Sequence, residues 1–316
     1  MTSEQRNLLQ TWLPVIVLVV LVLCVGLYDN TFFSVSNFLA VTADTMTLFL
    51  MASGVTLVIM MGGIDLSVQA VASMTSCILA VYLPQFGVFA IPLAVLGGVI
   101  SGFAGGVVST KLRIPSFIST LAVSGVVLSV GFWFTDERSV NISGDLSRKY
   151  LHWAVGDFLG VPNEIWVGAV FLVILSAVLG LTPFGRLVRG IGAQERAVMA
   201  SGINVDRVKI AGFTLSGTMA GVAGVVMAAR LGSGSPTLAN EFLLPAIACI
   251  VVGGTAITGG VGSVWRTFIG ALIVQVVRIG MTFMGVSVFA QQIVFGAILV
   301  IAVAITMDRA KVLVIK

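Results

Sequence analysis

Charge is the first thing this chain lacks: only 9% of its 316 residues are Asp, Glu, Lys or Arg, against about 25% in an ordinary soluble domain. That scarcity excludes a water-soluble globular fold, and no nucleic-acid partner is expected. Histidine occurs once, as His152, which argues against zinc sites and histidine-dependent triads. The three cysteines, Cys24, Cys77 and Cys249, are odd in number and sit inside apolar runs, so they read as packed thiols rather than a disulfide framework or a metal site. None of the lysines follows a glycine, so there is no Gly-Lys-Ser/Thr phosphate loop. No catalytic residue, bound metal or cofactor is expected on this chain.

What fills the sequence instead is apolar residue, 58% by count, with a mean hydropathy of +1.11. The apolar stretches cover 12–28, 38–61, 65–83, 90–110, 115–135, 164–182, 210–230, 243–258, 267–284 and 287–306. They are long enough for a hydrocarbon core about 30 Å thick and are continuous rather than alternating, which favours helices over a barrel. The expectation is an all-α polytopic membrane protein of about ten transmembrane helices, a single transmembrane domain over 1–316. The first stretch follows Arg6 and precedes no small-x-small cleavage site, so it reads as a retained helix. The glycine-rich breaks at 62–63 and 253–262 read as kinks or re-entrant turns.

Orientation comes from the basic residues. With ten spans and both termini inside, Arg6, Lys111, Arg113, Arg186, Arg189, Arg196, Arg207, Lys209, Arg266, Arg309, Lys311 and Lys316 are cytoplasmic. Arg138, Arg148, Lys149 and Arg230 fall outside, an asymmetry that selects the termini-in arrangement. Two loops are long. The outer one, 136–163, mixes charges with His152 and Trp153, the latter an interfacial anchor; the inner one, 182–209, is rich in basic residues and is expected to meet a cytoplasmic partner.

Small residues recur every fourth position at Ala94, Gly98, Gly102 and Gly106, and again at Ser216, Ala220, Gly224 and Ala228. Such bare faces let backbones approach closely, for tight packing or for a sliding surface. The two double-glycine turns are not equivalently placed in two halves, and no internal repeat is evident.

Polar groups within the spans are the functional candidates. Asp65, in Gly62-Gly63-Ile64-Asp65-Leu66-Ser67, precedes an apolar run and reads as a helix cap, as a gate at the inner mouth, or as both. Asp44 and Arg278 are opposite charges in apolar runs that no spacing argument pairs. Thr45, Gln275 and Gln291, with Asn37, Gln292 and Ser67, could line a path for a hydroxylated solute, which needs neutral donors and acceptors. An ion-coupled carrier would need more intramembrane carboxylates than Asp44 and Asp65.

Several stretches resemble a known family. Gly62-Gly63-Ile64-Asp65-Leu66-Ser67-Val68, Lys111-Leu112-Arg113-Ile114-Pro115-Ser116-Phe117-Ile118-Ser119-Thr120-Leu121, Thr182-Pro183-Phe184-Gly185-Arg186 and Ser201-Gly202-Ile203 are similar to the permease subunits of bacterial ABC importers for ribose, xylose, arabinose and galactosides. Ala246-Ile247-Ala248, Val252-Gly253-Gly254-Thr255 and Gly259-Gly260-Val261-Gly262-Ser263 continue the pattern, so that it spans about 38–300. The resemblance implies a bacterial inner-membrane subunit that pairs with a second permease copy or paralogue. It also implies a periplasmic solute-binding protein that delivers the solute and a cytoplasmic ATP-binding subunit that drives its passage. It further implies that 193–203 is a short coupling helix inserted into the ATPase, with Gly192 and Gly202 as its breaks and Gln194, Glu195, Arg196, Ala200 and Ser201 on it. Gln69 stands where such permeases usually carry glycine and Gln194 where asparagine is common, departures that suit a different solute or a heterodimeric partner. The expected cargo is a monosaccharide, with a nucleoside, a branched-chain amino acid or a furanone-type signal as alternatives on the same architecture.

Overall fold

The computed structural model describes the backbone of residues 3–306 and the side chains of 12–301, 303 and 304. Among the described residues it is a helical bundle. In chain order α1 is Ser3–Tyr28, α2 Val35–Met60, α3 Val68–Phe86, α4 Ala90–Lys111 and α5 Ser116–Thr135. An excursion follows, with β1 at Val140–Asn141, α6 at Gly144–Tyr150, α7 at His152–Val155, β2 at Asp157–Phe158 and β3 at Val161–Pro162. The chain then returns through α8 at Asn163–Leu181, α9 at Pro183–Ala200 and α10 at Val205–Leu231. β4 at Ser233–Gly234, α11 at Leu243–Val252, α12 at Val264–Phe283 and α13 at Val288–Thr306 complete it.

Every apolar stretch expected to be helical contains a helix. Among the described residues six helical stretches are long and apolar enough to cross a membrane, the one from Val68 to Lys111 holding α3 and α4 in succession. The 243–258 span does not run as expected. α11 stops at Val252, and ten residues of helix reach only about 15 Å, half a hydrocarbon core. The reason is Gly253-Gly254: Gly254 takes φ +87°, and the chain turns back through 255–263, where the Ala256 amide donates to the Val261 carbonyl at 2.9 Å. Arg309, Lys311 and Lys316, used above to orient the chain, lie outside the described residues, as does the side chain of Arg6.

α2 is the centre of the bundle. From Thr45 to Met60 every residue is buried, so this helix is apolar all round, as a helix surrounded by other helices must be. Apart from that of Thr47, its buried hydroxyls are spent on its own backbone or on neighbours, as where Thr56 Oγ1 meets Thr267 Oγ1 of α12 at 2.8 Å. α10 packs on α4, α2 and α3. The α4 stripe meets α10 at Gly217 and Gly221, one position beside the second stripe, whose Ser216 and Gly224 instead meet Gly54 of α2 and Ala72 of α3. A Cβ at Gly98 would overlap the Gly217 carbonyl oxygen, one at Gly102 the Phe213 carbonyl oxygen, and one at Gly106 would come within 3.0 Å of Ile210 Cα. The helices therefore touch backbone to backbone, the contact small residues permit in a membrane.

Local caps set the helix starts. The Ser34 hydroxyl accepts the Asn37 amide at the head of α2, and Asn204 Oδ1 accepts the Arg207 amide at 3.1 Å at the head of α10. β1 pairs with β4, joining the excursion to the end of α10.

Candidate functional site

Two polar regions occupy opposite ends of the bundle. At the basic end, so named for its Lys111, Arg113 and Lys209, α2 finishes and the chain turns through 61–67 into α3. Backbone amides in this turn have left the helical ladder and need acceptors. The Ile64 amide donates to Ser116 Oγ at 2.9 Å and the Leu66 amide to Thr120 Oγ1 at 3.0 Å, both on α5. Asp65 is buried, with 1% of its surface exposed. Its Oδ1 accepts the Ser67 amide at 2.9 Å and the Ser67 hydroxyl at 2.7 Å, and its Oδ2 accepts the Ser216 hydroxyl of α10 at 2.7 Å. The carboxylate closes an Asx turn just ahead of α3 and ties α10 to it. Ser67, not Asp65, stands at the head of α3, and its side chain caps nothing there.

Segment 193–203 lies at the same end. α9 breaks at Gln194, whose extended backbone (φ −160°, ψ 85°) divides a longer helix from a short one ending at Ala200. Gly192 is therefore not the break expected of it. It is helical and acts by close approach: a Cβ there would overlap both the Met60 carbonyl oxygen and the Gly260 nitrogen. The Gly260 amide itself donates to the Met60 carbonyl at 2.9 Å, so α9, the end of α2 and the 255–263 loop meet at one point. Gly202, at φ +79°, does end the segment. Gln194, Arg196, Ala200, Ser201 and Gly202 are exposed. Glu195 bonds Lys209 Nζ at 2.7 Å, and Lys111 Nζ bonds Asp206 at 2.8 Å, so both ion pairs hold the foot of α10. A cavity of about 890 Å³ opens between Gly63, Arg113, Ser116, Glu195 and Met199.

At the other end a cavity of about 500 Å³ lies between the start of α2, the end of α10, Phe242 and the end of α12. Asp44 forms an ion pair with Arg230 and accepts Gln275 Nε2 at 3.1 Å. The cation chosen by Asp44 is thus Arg230 of α10, while Arg278 lies with its guanidinium 5.0 Å over the Phe242 ring. Asn37, Thr47 and Thr282 also line this space. Two of the path candidates, Asp44 and Gln275, are brought together here. Thr45 and Gln291 do not line the cavity: the Thr45 hydroxyl bonds the Val41 carbonyl at 2.8 Å, and Gln291 Nε2 bonds Thr282 Oγ1 and the Val286 carbonyl at 3.2 Å, closing the α12–α13 turn. Sequence reasoning passed over Arg230, Thr47, Thr282 and Phe242. The signal for Arg230 was a carboxylate in an apolar run, which demands a cation from some other helix.

Residues 37–303 match the family described as branched-chain amino acid transport system / permease component. The chain is 34% identical to the ribose import permease protein of Haemophilus influenzae over 91% of its own length and 90% of that protein's. It is 33% identical to the ribose import permease protein of Escherichia coli over 96% and 97% of the two chains, and 30% identical to the fructose import permease protein of Rhizobium meliloti over 92% and 84%. With the apolar bundle, these matches make this chain a multi-pass membrane protein that belongs to the permease component family of such transport systems, not an enzyme in its own right.

Proposed function

We propose that this chain is the transmembrane subunit of an ATP-driven importer in a bacterial inner membrane, carrying a small neutral solute, most simply a monosaccharide, into the cytoplasm. The whole chain acts as one permease domain that crosses the membrane about ten times with both termini inside. Loop 136–163 is then periplasmic and receives solute from a binding protein. Loop 182–209 is cytoplasmic and meets an ATP-binding subunit that holds ATP and Mg. A second permease copy or paralogue, surrounded by lipid, completes the pore.

The observation that carries this reading is the seat of the 193–203 segment. Its residues Gln194, Glu195, Arg196, Ala200, Ser201 and Gly202 form a short knob beyond a helix break, open to a partner. Behind them Gly192 rests backbone to backbone on the ends of other elements, where nothing soft can absorb a displacement. A push on the knob reaches α2 and the 255–263 loop directly, and reaches α10 through Glu195 and Lys209. From the foot of α10 the motion passes Asp65 and Ser67 at Ser216 and arrives at Arg230. The sugar cargo is supported by the names of the relatives above. The test is reconstitution with the ATPase and binding protein in proteoliposomes. Ribose or fructose uptake that needs internal ATP and is lost in an Arg196→Ala, Ala200→Asp double variant is the expected result. Uptake that survives ATP depletion and collapses with an uncoupler would make the chain an ion-coupled carrier instead.

A further inference from the structure

We infer that the cavity bounded by Asp44, Arg230, Gln275 and Arg278 is a solute-binding site within the permease itself, built for a neutral polyol the size of a monosaccharide. The inference rests on the importer reading and deepens it, since an importer of this kind needs only a passage here, not a site.

Two polar groups at the wall of the cavity have capacity left over, Arg278 on its surface and the Thr47 hydroxyl just behind it. Thr47 Oγ1 is buried without a hydrogen-bond partner, and the residue lines this cavity. A buried hydroxyl without a partner is destabilising, so it is kept where something else supplies the bond. Arg278 is partly buried, stacked on Phe242, and pairs with no carboxylate among the described residues. Its planar fork offers several N–H donors to adjacent oxygens.

The remaining wall defines the class of ligand. Asp44 is already neutralised by Arg230 and bonded by Gln275, yet each of its oxygens keeps a lone pair for a hydroxyl proton. An α-amino acid would need an uncommitted carboxylate for its ammonium group, and among the described residues that line this cavity there is none. A polyol needs what is present, acceptors and donors spread over three helices, α2, α10 and α12. Each of its hydroxyls both gives and takes a hydrogen bond. The volume of about 500 Å³ lies within the usual range for small-ligand sites.

The experiment places a reporter thiol on the wall with Ala40→Cys, in a background carrying Cys24→Ala because Cys24 is exposed while Cys77 and Cys249 are buried. Labelling by a methanethiosulfonate reagent is followed in the reconstituted permease–ATPase complex with D-ribose, D-fructose, L-leucine or no addition. Ribose or fructose should slow labelling severalfold, and leucine should not. Thr47→Val, which keeps the side-chain shape, should leave the labelling rate without sugar unchanged and raise the half-protecting sugar concentration roughly three- to tenfold, as expected for one lost hydrogen bond. Arg278→Gln should raise it further. Protection by leucine alone, protection by nothing, or sugar protection untouched in both variants overturns the inference. ATP-dependent uptake is measured on the same vesicles: if it persists without protection, the importer reading stands and the site falls; if uptake needs no ATP, the importer reading falls whatever the labelling shows.

Discussion

The two ends of the bundle hold their polar groups in opposite ways. At the basic end Asp65 is buried and saturated: three donors reach its two oxygens, and the amides around it are taken by Ser116 and Thr120. At the far end Asp44 is bonded too, but Thr47 and Arg278 beside it keep unused hydrogen-bonding capacity around open space. A saturated buried network has one geometry and resists change, whereas an unsaturated one gains free energy by meeting a ligand. One end is therefore suited to pass on a displacement, the other to contact a solute.

The contrast breaks most severely at Gly192. Gly192→Val forces a branched side chain into the Met60 carbonyl and the Gly260 amide, both backbone. The cost should lie at or above the ~3 kcal/mol top of the usual overpacking range, and thermal unfolding in detergent should show a fall in Tm larger than that of any substitution at Asp44, Asp65 or Lys209. Next comes Asp44→Ala, which strands Arg230 within the bundle. The side chains of this pair are 35% exposed, so the loss should be about 2–3 kcal/mol, at or below the low end of the range for a broken buried pair. The double variant Asp44→Ala, Arg230→Ala should recover much of that stability while uptake stays lost; a double variant no more stable than the single would show that the pair does not couple. Asp65→Asn follows, at about 1–2 kcal/mol, because an amide oxygen can keep the donors on one side only. Its loss of uptake should follow its loss of Tm if Asp65 is a tie, and exceed it if the residue also gates.

Much of the architecture was legible in the residues alone. Continuous apolar runs mark helices because a bilayer leaves the backbone little else to form, and the stripes through Gly98 and Gly224 announced close helix contact. The break at 253–262 was legible from its glycines, but not that α11 would already end at Val252, because hydropathy alone runs on to 258. Asp44 and Gln275 were marked as intramembrane polar groups, but Arg230, the ion-pair partner of Asp44, lies far away in sequence, and no periodicity links the two. Thr45 misled for a local reason: in a helix a threonine hydroxyl can bond the carbonyl one turn back, and Thr45 does so. The same ambiguity hid Thr47, whose value lies in making no such bond.

The smallest expected effect sharpens the comparison from the basic end. Lys209→Met removes the ion pair to Glu195, whose side chains are 25% and 43% exposed. Pairs this wet contribute about 0–1 kcal/mol and are screened by salt. Tm should therefore move by only a degree or two, and high salt should erase even that difference. Uptake is the more telling readout. If the push on the 193–203 knob travels mainly through the backbone seat at Gly192, transport by the Lys209→Met protein should stay near that of the parent. A large loss of uptake without a loss of stability would instead place the transmission in the Glu195–Lys209 bond, and would make the foot of α10, rather than the end of α2, the element that carries the stroke.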